Sequence, residues 1–152
     1  MTRIEFYFNV TDKQKLMLIL VEQALLKRRQ VTVFTANQLD SREVVDCLWQ
    51  RKRDSFLPNV LASHVHAANT PVVIACAQNE TGEIDAIFQD DMLINFSVNQ
   101  PSFFSRFTHL VEIVGNDDTD KLNARSRYKF YRDRGYEIKH NDHAKLVEAN
   151  IE

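Results

Sequence analysis

Glycine is scarce in this chain of 152 residues: Gly82, Gly115 and Gly135 are the only three. Loops that cradle phosphate need clustered glycines, so that backbone N–H groups can approach the ligand. Neither G-x-G-x-x-G nor a P-loop is present, which argues against ordinary nucleotide chemistry. Cysteine is equally sparse, with Cys47 and Cys76 far apart in apolar surroundings. Isolated thiols of this kind read as buried cytosolic cysteines, not as a disulfide framework. No stretch approaches the ~18 consecutive apolar residues of a membrane span, and Met1–Asn9 lacks the apolar centre of a signal peptide. The expected location is therefore cytoplasmic. Positive charge is not in excess either. Lys and Arg number 19 against 21 Asp and Glu, for a formal net charge of -2. That balance argues against a surface given over to nucleic acid, while leaving room for a local basic patch.

What is present is an alternation of strand-like and helix-like segments. Ile4–Phe8 is a β-prone run. Thr11 stands three residues before Gln14, a capping-box spacing. Behind it Leu16, Ile19, Leu20, Ala24 and Lys27 recur at helical spacing. That helix is expected to end at Lys27-Arg28-Arg29, where positive charge suits the helix dipole. Val31–Phe34 reads as a second strand, and residues 37–50 as a helix with Val44, Val45, Leu48 and Trp49 on its apolar side. Phe56-Leu57-Pro58-Asn59 reads as loop. Val72–Cys76 is a continuous apolar run, as in a strand buried on both faces. Met92–Phe96 and Leu110–Val114 are further strands, with a short helix at Phe103–Phe107 between them. Asn116–Asp120 is rich in N-cap residues and opens a helix running to Arg134, with Gly135 at the left-handed position that closes it. Strand, helix and strand in succession predict a three-layer α/β/α sandwich with a mainly parallel, Rossmann-like sheet. One domain is expected over residues 1–136, then a polar tail at 137–152, expected to be partly disordered.

The last helix is the most informative segment. It carries Lys121, Arg125, Arg127, Lys129, Arg132 and Arg134 against one acid, Asp133. At ~100° per residue, Lys121, Arg125, Lys129 and Arg132 share a stripe, with Tyr128 at its edge and Tyr131 further round. Such a stripe is a recognition surface for an acidic partner; the plainer reading is a solvated helix face. Trp49 with Phe56-Leu57-Pro58 is a second candidate, as an interface cluster or as ordinary core. His64 and His66 alternate but lack a second pair of the zinc type. His109, His140 and His143 read as structural or solvated. Asp90-Asp91 and Asp117-Asp118 make no catalytic pair, because adjacent strand residues point to opposite faces and acids at a helix start usually cap. No G-x-S-x-G elbow occurs. Neither an enzyme activity nor a cofactor nor a metal is expected. A single-stranded nucleic-acid-binding domain using the basic and aromatic last helix is the alternative that the residues leave open.

The run Ala124-Arg125-Ser126-Arg127-Tyr128-Lys129-Phe130-Tyr131-Arg132-Asp133-Arg134-Gly135-Tyr136 resembles the A-R-x-R-Y-K-x-Y-R-x-x-G-[FY] signature of the chi-subunit family of bacterial DNA polymerase III. Leu48-Trp49-Gln50-Arg51 and Ser55-Phe56-Leu57-Pro58-Asn59 are similar to that family's L-W-x-x and S-F-x-P-H segments. Asn59 stands where the family has histidine, and Ala62-Ser63-His64-Val65 where it has a glycine-rich turn. The resemblance spans residues 3–136. It implies a non-catalytic DNA replication accessory subunit that bridges the clamp loader, through a psi-like subunit, to single-stranded DNA-binding protein. The contact to the latter would be its acidic C-terminal tail, which ends in Ile-Pro-Phe and a free carboxylate. Carried over by motif, the tail pocket would use Val114, Lys121, Arg125, Tyr128, Lys129 and Arg132. Trp49, Phe56, Leu57 and Pro58 would meet psi or a competing helicase. DNA would be reached only through these partners, and polymerase activity would belong to the assembly.

Overall fold

The computed structural model describes residues 2–50, 59–61, 70–78, 84–87 and 89–143. The elements run β1 (Arg3–Val10), α1 (Lys13–Leu26), β2 (Val31–Asn37), α2 (Gln38–Gln50), β3 (Asn59–Leu61), β4 (Val72–Gln78), β5 (Met92–Asn95), β6 (His109–Gly115), α3 (Asp118–Asp133) and β7 (Ile138–Asp142). The seven strands form one sheet in the order β3-β4-β2-β5-β6-β1-β7, and every pairing is parallel. The crossovers from β1 to β2 and from β6 to β7 travel in opposite directions along the sheet. Parallel crossovers share one hand, so α1 and α3 fall on opposite faces. Met17 and Val21 of α1, with Val44 and Leu48 of α2, pack on Val33, Ile74 and Ile113. Ala124 and Tyr131 of α3 pack on Phe6, Phe34, Val73 and Val114. Neighbouring strand residues thus feed opposite cores, which is why β4, and β6 apart from His109 and Glu112, are apolar without alternation.

Local chemistry departs from expectation at several places. Asp12, not Thr11, caps α1: its Oδ1 accepts from the Lys15 N–H at 3.1 Å, the third residue of a helix that starts at Lys13. Ile19 is 39% exposed, whereas Met17 and Val21 are fully buried. The helix is apolar around most of its girth, so spacing alone did not choose the buried face. At its end Arg28 adopts φ 57. The Arg28 N–H donates to Leu25 and the Arg29 N–H to Ala24, a closure that usually places glycine where Arg28 stands. Arg29 does not serve the helix dipole alone. Its Nε and Nη2 donate to Asp91 Oδ1 at 3.2 and 2.9 Å, tying the end of α1 to the entry of β5. Next to it, His109 Nε2 lies 2.9 Å from Glu5 Oε1, and that hydrogen bond holds the Glu5 carboxyl down at about 2.

Asn59, read as loop, opens β3, and the short helix around Phe104 is a 3-10 turn at Phe104–Arg106. The largest difference lies beyond Tyr136. The chain there does not leave the domain but adds β7, with Ile4 opposite Ile138, Phe6 opposite His140 and Phe8 opposite Asp142. A polar, charged strand suits a sheet edge, where one side faces water.

Candidate functional site

β1 ends irregularly. Its register against β6 shifts between Tyr7 and Val10, and Asn9 takes φ 60. A bulge of this kind re-aims side chains. Here it accompanies a cleft of about 290 Å³ between the end of β1, α3 and β7. Phe6, Val114 and Ala124, all nearly buried, make its floor. Phe8, Asn9 and His140 stand on the strand side, and Lys121, Arg125 and Tyr128 on the helix side. Among the described residues no carboxylate belongs to the lining. The cleft therefore offers an apolar bed with a cationic border, which suits a ligand that is apolar at one end and anionic.

The helix side is held from behind. Arg127 is 3% exposed, and its Nε donates to Glu112 Oε2 at 2.6 Å. Its Nη1 donates to the Val98 carbonyl at 2.8 Å, and the buried Tyr131 hydroxyl lies 3.3 Å from the same Glu112 oxygen. Burial pushes the Glu112 carboxyl upward, and the Arg127 guanidinium pulls the other way. Pairing a buried charge is what makes its burial tolerable. The contact also sets the rotation of α3, and so the outward aim of Arg125 and Tyr128. Tyr128 packs edge-on to Phe6 at 5.5 Å and stacks on His140 at 5.3 Å, with its hydroxyl 3.0 Å from His140 Nε2. At the start of α3, Asp120 Oδ2 accepts the Gly115 N–H at 2.7 Å and pairs with Lys13 Nζ at 3.1 Å. In open parallel sheets ligands favour the crevice at the strand C-terminal ends. Here the Gly115 N–H at the end of β6 is already taken by Asp120.

Of the six residues assigned to a tail pocket, the structure brings Val114, Lys121, Arg125 and Tyr128 together in the cleft. Lys129 and Arg132 lie outside the lining on the exposed side of α3, and Arg132 pairs with Asp133 at 3.5 Å. Trp49 falls within α2, but its side chain lies outside the described residues, as do Phe56, Leu57 and Pro58. His64 and His66 are outside them too. Phe6, Phe8, Asn9, Ala124 and His140 line the cleft without having been singled out. The period-two spacing of Ile4, Phe6 and Phe8 was a signal for the first two. His140, read as structural or solvated, could be placed only once β7 was known. His109 has its partner in Glu5. Cys47 and Cys76 are both buried and neither is in a disulfide, and burial pushes the Cys76 thiol up to about 11. Among the described residues no group of three or more His, Cys, Asp or Glu could hold a metal ion, and no helix is long and apolar enough to cross a membrane.

The model of the family described as DNA polymerase III chi subunit, HolC, matches residues 1–139. The DNA polymerase III subunit chi of Pseudomonas aeruginosa is 26% identical over 142 residues, covering 91% of this chain and 94% of the relative. The subunit of the same name in Haemophilus influenzae is 28% identical over 110 residues, covering 72% and 73%. That of Escherichia coli is 29% identical over 110 residues, covering 72% and 71%. The family match takes in every element from β1 to α3 and the first residues of β7. The chain belongs to the chi-subunit family of DNA polymerase III and is a replication accessory subunit.

Proposed function

We propose that the cleft between α3, β1 and β7 binds the acidic C-terminal tail of single-stranded DNA-binding protein, and that the chain thereby bridges that protein to the clamp loader through a psi-like subunit. The observation that carries this reading is a border of Lys121 and Arg125 around an apolar floor, with no acid among the described residues of the lining. A terminal Phe would bury its ring against Phe6, Val114 and Ala124, which contributes about 1.5–3 kcal/mol. Its carboxylate would take charge-assisted hydrogen bonds from Arg125 or Lys121, contributing about 1.5–3 kcal/mol each. After the costs of association, micromolar affinity follows, about 8 kcal/mol. Aspartates upstream in the tail would feel the exposed Lys129 and Arg132 at longer range, screened by salt. On this reading the chain is non-catalytic, works in the cytoplasm and meets DNA only through its partners. Trp49, Phe56, Leu57 and Pro58 form the proposed surface for psi or a competing helicase.

The test is titration of the whole chain with a fluorescent acidic peptide ending in Ile-Pro-Phe. Arg125→Ala and a peptide without its last Phe should each weaken binding at least about tenfold, the equivalent of one such hydrogen bond. Wild-type chain that ignores the peptide, or affinity unchanged between low and molar salt, contradicts the reading. Direct binding of an oligonucleotide without partner protein favours the stacked Tyr128 and His140 as a platform for bases instead.

A further inference from the structure

Resting on that reading of the cleft, we infer that His140 is a ligand contact in its own right: its protonated imidazole supplies a third cation to an acidic peptide, so that binding tightens as pH falls. Strand alternation places His140 on the α3 side of the sheet, in register with Phe6. There it lines the same cleft as Lys121 and Arg125. Phe8 meets its ring edge-on at 6.5 Å, and Tyr128 stacks on it. The Tyr128 hydroxyl near Nε2 can donate to a neutral imidazole or accept from an imidazolium. Gaining a proton therefore leaves the wall of the cleft intact and changes only its charge.

The charges around the imidazole decide what benefits from that proton. From α3 come Lys121, Arg125 and the Tyr128 phenol. From β1 come Phe8 and Asn9, neither charged. On β7 itself, Lys139 points to the opposite sheet face by alternation, and Asp142 accepts from Asn9 Nδ2 at 3.2 Å. Glu137 and His143 flank the strand outside the cleft lining. Among the described residues no carboxylate lines the cleft, so a bound peptide would bring its own and favour the imidazolium. Histidine exchanges its proton between about pH 5 and 8, whereas the peptide's aspartates ionise near ~4. The two titrations are separable.

The experiment measures the affinity of the intact chain for the acidic Ile-Pro-Phe peptide near pH 8 and near pH 6 at fixed ionic strength. The proteins are wild type, His140→Asn and Arg125→Ala. Wild type should bind about two- to fivefold more tightly at the lower pH, the range of an exposed ion pair. His140→Asn keeps a polar group for Tyr128 but cannot titrate, and its affinity should be flat. Arg125→Ala should weaken binding at both pH values and keep the ratio. A flat wild type, or a ratio that survives in His140→Asn (as it would if His143 titrated instead), overturns the role of His140 while leaving the peptide site standing. Absence of binding by wild type at either pH overturns both.

Discussion

Arg125 and Arg127 stand two residues apart on α3 and live in opposite surroundings. Arg125 is exposed at the border of the cleft. Arg127 is 3% exposed, with its guanidinium spent on Glu112 and the Val98 carbonyl. Tyr128 and Tyr131 repeat the contrast: one lines the cleft, and the other is fully buried beneath it. Two residues on a helix are about 200° apart, so one arginine fastens the helix while the other is free to meet a ligand. A family signature rich in arginine is therefore two instructions interleaved, one that fastens the fold and one that leaves a cation at the border of the cleft.

The largest effect should come from disturbing the fastening side. Arg127→Met leaves Glu112 in the core without its cation, and should cost about 3–5 kcal/mol in urea unfolding. Adding Glu112→Leu to the same chain should restore most of that, because a buried pair contributes little over apolar packing. An unchanged unfolding midpoint for Arg127→Met would break the division between the two arginines. Arg125→Ala should behave in the opposite way, with stability within about 0.5 kcal/mol of wild type while peptide affinity falls. A comparable loss of stability in Arg125→Ala would erase the contrast. The helix ends offer a smaller comparison. Gly135 takes φ 84 after α3, and Arg28 takes φ 57 after α1. Arg28→Gly should stabilise the chain by about 1 kcal/mol, and no gain in unfolding free energy would show that the left-handed arginine is unstrained. Lys129→Ala should be the smallest, lowering peptide affinity less than about twofold. A loss as large as that of Arg125→Ala would extend the site beyond the cleft.

The layered parallel fold was legible because β4 is apolar on both faces, β6 is nearly so, and Gly135 marks the end of α3. Polar β7 was not legible, because an edge strand needs only one neighbour and little burial. Its absence from the sequence reading hid His140 as well. The basic stripe singled out the helix that borders the cleft but could not rank its cations. The missing clue was Glu112, an acid in the middle of Leu110-Val111-Glu112-Ile113-Val114. An acid in such a run needs a buried partner, and Arg127 is that partner. The left-handed Asn9 also lines the cleft; asparagine tolerates that conformation better than most residues, but one asparagine inside a strand is too weak a signal to announce a bulge.

The most direct measurement is a titration of nitrogen-labelled chain with the acidic Ile-Pro-Phe peptide, followed by two-dimensional amide NMR. If the cleft is the tail site, the largest shifts fall on Phe8, Asn9, Val114, Arg125, Tyr128 and His140. Shifts confined to Lys129, Arg132 and Arg134, or none at saturating peptide, would contradict it.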